Sequence, residues 1–223
     1  MSFDGLAPHY RWLEFLLAGE KLQRCRTAFL AEAFSPGRIL ILGEGNGRFL
    51  AECRRRYPQA QITCLDASAG MLSQARARLL RSGPDTAETH FIHSNVLTFA
   101  PPQAAFDLVV THFVLDCFPP EELERVVQKL AAACAPDGAW WIADFRIPAA
   151  GPTRWRAEAI HWLMYSFFRI VTRLPASRWT APDRLLRAYG FVLCQRRVSE
   201  WGLLHADQWQ RSPAVAARRN IEV

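Results

Sequence analysis

Short apolar runs alternate with amphipathic segments through the middle of the chain. Five runs that are apolar almost throughout are predicted to be strands, at 38–42, 61–66, 89–94, 106–113 and 139–145. The segments between them carry apolar residues three and four positions apart, which is typical of helices, at 46–57, 68–81 and 120–135. Strands alternating with helices form βαβ units, in which helices cover both faces of a parallel sheet. The pattern predicts an α/β fold with a doubly wound, mostly parallel sheet.

The two ends of the chain depart from this alternation. Apolar positions at helical spacing over 9–34 predict a helical start, and 153–174 and 181–189 are predicted to be further helices. The last two apolar runs have no helix between them, so they are expected to pair as an antiparallel hairpin and to bring the sheet to seven strands. We therefore expect a single domain over 1–223. Its parts are a helical cap, a core, a helical insertion and a terminal hairpin, at 1–35, 36–147, 148–190 and 191–210.

The composition is that of a globular protein. Half of the 223 residues are hydrophobic and 22% are charged, and no uncharged apolar run reaches the length of about 18 residues that a membrane-spanning helix needs. The start of the chain has no basic segment followed by an apolar one, so we expect no secretory signal and a cytoplasmic location. The six cysteines form no C-x-x-C pair, which argues against a metal site or a redox motif. Each is expected to be a small buried apolar group.

Positive charge is concentrated in the last third of the chain. Residues 1–150 carry 15 basic and 16 acidic groups, whereas residues 151–223 carry 12 basic and 5 acidic groups and five of the eight tryptophans. A basic, aromatic surface suits acidic ligands, nucleic acid or a membrane face. Solvated surface arginines explain it equally well, because only Lys21 and Lys129 of the 27 basic residues are lysine.

A glycine-rich loop follows the first predicted strand, in the stretch ILILGEGNGRFL (39–50). In a doubly wound sheet, ligands bind beyond the carboxyl ends of the strands. The loop lacks the Lys and Ser/Thr of a P-loop, and Arg48 stands where a dinucleotide fingerprint has its last small residue. Asp66 ends the second strand, where an acid can accept hydrogen bonds from both hydroxyls of a ribose. The loop and Asp66 together predict a nucleoside-containing cofactor, although dehydrogenases share this pair.

Five motifs in order resemble those of the class I S-adenosylmethionine-dependent methyltransferases. They are ILILGEGNGRFL, ITCLDASAGML, FIHSNVLTF, FDLVVTHFVLDCF and APDGAWWIADF, and they cover about 36–146. The resemblance implies a Rossmann-like methyltransferase fold with S-adenosylmethionine as cofactor, and the terminal hairpin resembles that family's last two strands. The opening FDGLAPHYRWLE also resembles the start of quinone-type methyltransferases.

The resemblance further implies which residues contact each part of the cofactor. They are Gly43, Gly45 and Gly47 for the methionine part, Asp66 for the ribose, Asn95, Val96, Ala67 and Met71 for the adenine, and Thr111 and His112 for the methyl end. Two positions depart from the family. Asn95 replaces the usual aspartate, and Ile41 occupies the place of an acid that many members have two residues before the first glycine. Glu44, inside the loop, either contacts the cofactor's ammonium group or points to solvent.

The methyl group of a sulfonium is already activated, so the main task of the enzyme is to align the acceptor with it. A base is needed only if the acceptor keeps its proton at neutral pH. His112 is a candidate general base, and packing beside the cofactor explains it equally well. Asp116 either orients His112 or, as we expect more strongly, caps the helix near Pro120. Other candidates near the cleft are Tyr10, Asp144, His161 and Tyr165, whereas His205, in the last hairpin, is expected to be exposed.

The segment RWRAEAIHWLMYSFFRIVTRL (154–174) is apolar on nearly all sides in its middle, with arginines at both ends. Such a helix is buried or meets an apolar partner. In the family, an insertion at this place commonly forms a lid, which here would cover an aromatic or prenylated acceptor. A helix packed on the core, a homodimer interface and a peripheral membrane contact are the alternatives. Nucleic acid is not expected, because so apolar a helix would bury its tryptophans.

The predicted function is methyl transfer from S-adenosylmethionine to a small, largely apolar acceptor. One alternative is a quinone-pathway C-methyltransferase that works at the membrane surface. The other is a cofactor-binding scaffold that has lost catalysis, for which Ile41 and Asn95 are the supporting observations.

Overall fold

The computed structural model describes residues 19–83, 87–146, 155 and 181–212. The strands are β1 Arg38–Leu42, β2 Gln61–Asp66, β3 Thr89–His93, β4 Phe106–His112, β5 Cys134–Phe145, β6 Phe191–Ser199 and β7 Leu204–Arg211. They form one sheet in the order β3-β2-β1-β4-β5-β7-β6. Strands β1 to β5 are parallel, and β7 is antiparallel to both β5 and β6. The predicted α/β fold, with a mostly parallel seven-stranded sheet and an antiparallel C-terminal hairpin, is confirmed.

The helices of the described residues lie close to their predicted positions, except that the helical start predicted to reach residue 34 ends at Arg26. They are α1 Gly19–Arg26, α2 Arg48–Arg56, α3 Ala69–Ser82, α4 Pro120–Ala133 and α5 Asp183–Ala188. The main difference is in β5, which begins at Cys134 rather than at 139. Cys134 already pairs with Phe106, and an irregularity in β4 between Phe106 and Leu108 separates this pair from the rest of the ladder.

Helices cover both faces of the sheet, which explains strands that are apolar throughout. On one face, Ile39, Ile41 and Trp141 pack against apolar residues of α1, α2 and α3. On the other face, Leu40 and Trp140 pack against apolar residues of α4 and α5. The two layers leave the carboxyl ends of the parallel strands as the edge at which polar side chains gather.

Strand β7 lies inside the sheet, between β5 and β6. Its register places His205 opposite Asp144 and Ala206 opposite Ala143. His205 is therefore only 3% exposed, and the prediction of an exposed histidine is wrong. The hairpin turn at 200–202 lies beyond the carboxyl end of β5, because Phe145 pairs with Leu204 at the start of β7.

The cysteine prediction is correct for four of the six residues. Cys25, Cys53, Cys64 and Cys134 are buried, Cys117 is half-buried, and Cys194 is exposed on β6. Burial raises the pKa of the Cys25 thiol to about 12, which keeps this group neutral. All six are free thiols.

Several predictions concern residues that the structure does not describe. Tyr10, His161 and Tyr165 lie outside the described residues, as does the segment 154–174 apart from Trp155, which is 78% exposed. Within the described residues, no helix is long and apolar enough to cross a membrane.

Candidate functional site

The glycine loop at 43–47 has free space next to Gly45 and is tightly packed at Gly47. A Cβ atom built on Gly45 would meet no other atom within 4 Å, whereas one built on Gly47 would lie 2.6 Å from the Cα atom of Ala75 in α3. Both glycines have positive φ, at 66° and 81°. The loop therefore needs glycine at both positions for its backbone path, and the free space next to it lies over Gly45.

Asp66 lies beside this space at the end of β2. Its Oδ2 accepts a hydrogen bond of 3.3 Å from the backbone of Gly45, and its Oδ1 accepts one of 2.9 Å from Ser68. Burial raises the pKa of this carboxyl, although these hydrogen bonds oppose the rise. A carboxylate oxygen can accept more than one hydrogen bond, so both oxygens keep capacity for a ligand's hydroxyl groups. Asp66 and the space over Gly45 fit the ribose and methionine parts of S-adenosylmethionine.

Glu44 turns inward instead of facing solvent. Its Oε1 accepts a hydrogen bond of 2.9 Å from the backbone of Leu50, in the first turn of α2. The N-cap residue of α2 is Gly47, which has no side chain to satisfy these amides, so Glu44 takes that role. Burial raises the pKa of Glu44 to about 7, against the effects of this hydrogen bond and of the nearby Arg26 charge. The solvent-facing alternative for Glu44 is wrong.

His112, at the end of β4, is 8% exposed and contacts the Phe49 ring edge-on, with 4.5 Å between the ring centroids. Its Nδ1 has no hydrogen-bond partner among the described residues. Burial and the charge of Arg26 both lower the pKa of His112 well below its usual value. The imidazole is therefore neutral at neutral pH, and a positive charge on it is disfavoured.

Arg26 is a residue of this site that the sequence analysis missed. It lies at the end of α1, is 9% exposed, and its guanidinium is 5.2 Å from the centre of the Phe113 ring. Its charge acts on both Glu44 and His112. A signal was available, because Arg26 is four residues after Leu22 and three before Phe29, on the apolar side of the helical pattern.

The side chain of Thr111 does not face the cofactor space. It is fully buried, and its hydroxyl accepts a hydrogen bond of 2.9 Å from the indole Nε1 of Trp140. The side chain of Thr111 therefore lies on the face of β4 that is covered by α4, and the predicted place of Thr111 beside the methyl end stays a prediction. Only its backbone is left for a contact at the edge of the sheet.

The predicted adenine contacts fall into two groups. The side chains of Met71 and Val96 are each 4% exposed and belong to the core, whereas Ala67 and Asn95 remain accessible. Asn95 already accepts a hydrogen bond of 2.9 Å from the backbone of Leu97 through its Oδ1. Its amide still has two donors and one further lone pair for an adenine ring.

Two carboxyl groups interact at the carboxyl edge of the sheet, that of Asp116 after the end of β4 and that of Asp144 just before Phe145, the last residue of β5. Burial raises the pKa of Asp116 to about 6. Burial and repulsion from Asp116 raise the pKa of Asp144 well above its usual value, although Asp144 Oδ1 accepts a hydrogen bond of 2.8 Å from Phe145. The predicted capping role of Asp116 is wrong, because the N-cap of α4 is Pro119 and no side-chain hydrogen bond caps the helix there.

Residues 39–138 match the model of a methyltransferase domain family. The demethylmenaquinone methyltransferase of Deinococcus radiodurans is 29% identical over 151 residues, which are 67% of this chain and 61% of the relative. The predicted resemblance to the class I S-adenosylmethionine-dependent methyltransferases is confirmed. The malonyl-[acyl-carrier protein] O-methyltransferase of Geobacter sulfurreducens is 32% identical over 124 residues, 56% of this chain and 44% of the relative. The chain thus spans 44–61% of the length of these two relatives.

Solved structures of methyltransferases show the same fold as this chain. The mitomycin 7-O-methyltransferase aligns with a TM-score of 0.69 at 18% identity, over 95% of this chain and 61% of the other. The 1,6-didemethyltoxoflavin N1-methyltransferase of Burkholderia thailandensis, solved with S-adenosylhomocysteine, aligns with a TM-score of 0.64 at 17% identity, over 94% and 85%. S-adenosylmethionine, the cofactor that the sequence predicts, is the cofactor of the family.

Proposed function

We propose that this protein transfers a methyl group from S-adenosylmethionine to a small, largely apolar acceptor. The observation that carries the proposal is the Asp66 carboxylate, held by Gly45 and Ser68 beside the open space over Gly45. When bound, the cofactor supplies an electrophilic methyl group on a sulfonium. The residues of the chain bind it, orient it and keep water away.

In this proposal each end of the site has a defined task. Asp66 accepts the ribose hydroxyls, and the backbone of Gly45 approaches the methionine part. Ala67 and Asn95 contact the adenine with their accessible side chains. His112 and Phe49 form an apolar wall at the methyl end, since their rings pack edge to face and are almost fully buried.

His112 is better suited to packing than to proton transfer. A general base works best when its pKa is close to the operating pH. Burial and Arg26 hold the pKa of His112 well below that range. We therefore propose that its neutral imidazole shapes the site and that the proton of the acceptor goes elsewhere.

An apolar acceptor is supported by one of the relatives and by the sequence. The Deinococcus relative is named as a demethylmenaquinone methyltransferase, and the resemblance of the opening residues is also to quinone-type enzymes. A reduced quinone is therefore the second candidate acceptor, with the segment 154–174 as its lid or membrane contact. A homodimer through that segment and a cytoplasmic location remain expectations from the sequence.

Calorimetry with S-adenosylmethionine and S-adenosylhomocysteine tests the cofactor site. The change of Asp66 to Asn removes charge from the ribose contact, and affinity for both ligands should fall about 10- to 150-fold, the equivalent of 1.5–3 kcal/mol. Asp137→Asn, at an exposed aspartate, is the matched control and should bind normally. Unchanged affinity in a folded Asp66→Asn variant would overturn the ribose assignment, and a wild-type protein that binds neither ligand would overturn the proposed function.

Methylation itself is tested with radiolabelled S-adenosylmethionine and a panel of acceptors. The panel contains catechol, 1,4-naphthohydroquinone, thiophenol and trans-aconitate, which represent phenols, reduced quinones, thiols and carboxylates. We expect the aromatic acceptors to be methylated in preference to trans-aconitate. If the cofactor binds but no acceptor is labelled, the non-catalytic scaffold is favoured instead.

A further inference from the structure

A buried arginine lies between the glycine loop and the segment that follows β4. Arg26 is the last residue of α1 and is only 9% exposed, and its guanidinium carbon lies 5.2 Å from the centre of the Phe113 ring. Phe113 directly follows His112, the last residue of β4, and has a positive φ of 54°. Burying a charge costs free energy, so an arginine at this depth needs anionic groups near it.

Contacts from two directions place this arginine beside the glycine loop. Three residues before Arg26, the Nε2 of Gln23 donates a hydrogen bond of 3.2 Å to the backbone oxygen of Arg48, the first residue of α2 after the loop. A Cβ atom built on Gly43 would lie 2.8 Å from the side chain of Val114, so the segment after β4 packs against the first glycine of the loop. Arg26 therefore lies at the carboxyl edge of the sheet, where the neighbouring strands β1 and β4 end.

The charge of Arg26 is offset only in part by the acid beside it. Arg26 acts on Glu44 and on His112, and it lowers the pKa of both. Burial nevertheless raises the pKa of Glu44 to about 7, so this carboxyl is only partly ionised at neutral pH. The positive field that disfavours a cation on His112 favours an anion placed at the same edge of the sheet.

The methionine part of the proposed cofactor brings such an anion. Its α-amino acid end carries one carboxylate and one ammonium group. A guanidinium offers N–H donors in a planar fork that matches a carboxylate, and Glu44 offers acceptor oxygens that suit an ammonium. The free space over Gly45, the residue after Glu44, is where the methionine part is proposed to lie. Arg26 and Glu44 are thus complementary in charge to the two groups of this end of the cofactor.

We infer that Arg26 binds the carboxylate of the methionine part of S-adenosylmethionine. The inference rests on the proposed function and deepens it, because it names the group by which the chain distinguishes its cofactor from nucleosides that lack an amino acid end. A carboxylate on the methyl acceptor would offer Arg26 the same chemistry. The position of Arg26 beside the glycine loop favours the cofactor, and the experiment below distinguishes the two sources.

Calorimetry with two ligands that differ only in the carboxylate tests the inference. S-adenosylhomocysteine carries this group, and decarboxylated S-adenosylhomocysteine lacks it. Wild type should bind the first ligand about 10- to 150-fold more tightly, the range expected for charge-assisted hydrogen bonds. Arg26→Met should lose this selectivity, because its affinity for S-adenosylhomocysteine falls while its Kd for the decarboxylated ligand stays within about threefold of wild type. Arg24→Met, at an exposed arginine of the same helix, is the matched control and should keep the wild-type selectivity.

The outcomes separate this inference from the proposed function. A wild type that binds neither ligand overturns both, whereas a wild type that binds the two ligands equally well leaves the proposed function standing and overturns only the role of Arg26. A folded Arg26→Met variant that keeps the wild-type selectivity, or that weakens both ligands equally, also overturns it, because the arginine would then only support the fold. Arg26→Gln, which keeps a polar group without the charge, replaces Arg26→Met if that variant does not fold, and it should lose selectivity in the same way. If Arg26→Met binds S-adenosylhomocysteine as wild type does but no longer methylates trans-aconitate, the anion belongs to the acceptor and the inference is wrong.

Discussion

The pH dependence of stability should change when Glu44 is replaced by glutamine. Glu44 is buried at the first turn of α2, with its Oε1 on the amide of Leu50. Glutamine keeps the shape and one carbonyl acceptor for that amide, but it cannot ionise. The change Glu44→Gln therefore isolates the effect of burying the charge from the effect of capping the helix.

The size of the effect follows from the pKa of Glu44. Its ordinary value of 4.5 rises to about 7 in the folded protein, because burial disfavours the charged form. At about 1.4 kcal/mol per pH unit, ionisation costs the folded state roughly 3 kcal/mol once the pH is well above 7. The folded state holds the proton more tightly, so the stability from this group is complete below pH 4.5 and is lost as the pH rises through 7.

Urea denaturation of both proteins at pH 5, 6, 7 and 8 measures the difference. Other buried acids, such as Asp116 and Asp144, add to the pH dependence of both proteins and cancel in the comparison. Between pH 5 and pH 8, wild type should lose about 2–3 kcal/mol of unfolding free energy relative to Glu44→Gln. Glu124→Gln, at an exposed glutamate of α4, is the control and should follow wild type.

Two results would refute this reasoning. A difference between wild type and Glu44→Gln that is constant from pH 5 to pH 8 would mean that the carboxyl is not desolvated. A wild type that gains stability over the variant with rising pH would mean that the charged cap outweighs burial. The same variant also decides whether Glu44 contacts the cofactor's ammonium group, because its affinity for S-adenosylhomocysteine would then fall.

Three further predictions concern the two glycines of the loop, the buried arginine Arg54 and His112. Gly47→Ala should cost about 2–4 kcal/mol of unfolding free energy, because φ is positive and the new Cβ would lie 2.6 Å from the Cα atom of Ala75. Gly45→Ala should cost only about 1–2 kcal/mol, because its Cβ meets no other atom, but it should weaken binding of S-adenosylhomocysteine in calorimetry. Arg54→Leu should cost about 3–5 kcal/mol in urea denaturation, because the buried guanidinium donates to the carbonyls of Pro58 and Ala60 at 3.1 and 2.7 Å; an unchanged midpoint would contradict this. His112→Ala should weaken cofactor binding more than it lowers kcat at saturating cofactor, and a loss in kcat alone would restore His112 as the base.

The sequence predicted the elements well because each strand of the parallel core is a separate apolar run. Which face a residue takes was harder to predict, since strands buried on both sides give no alternation of polar and apolar positions. The family resemblance placed Thr111 at the cofactor, and only the contact with Trp140 reveals which way its side chain points.

The errors at His205 and Glu44 have a different physical origin. His205 looks exposed in a terminal hairpin, and it is buried only because β7 enters the sheet between β5 and β6. Strand order depends on contacts between segments that are far apart in the chain, which local patterns do not encode. Glu44 was ambiguous for a related reason, because its partner Leu50 becomes visible only when the start of α2 is known.

The position of β7 also has a consequence for the order in which the protein is made. Of the described strands it is the last to leave the ribosome, yet it fills an interior place between β5 and β6. Until it arrives, β5 presents an open edge and Trp140 lacks its cross-strand partner Trp209. The half of the sheet that carries the glycine loop and Asp66 can form during synthesis, whereas the half made of β5, β7 and β6 is completed only at the end.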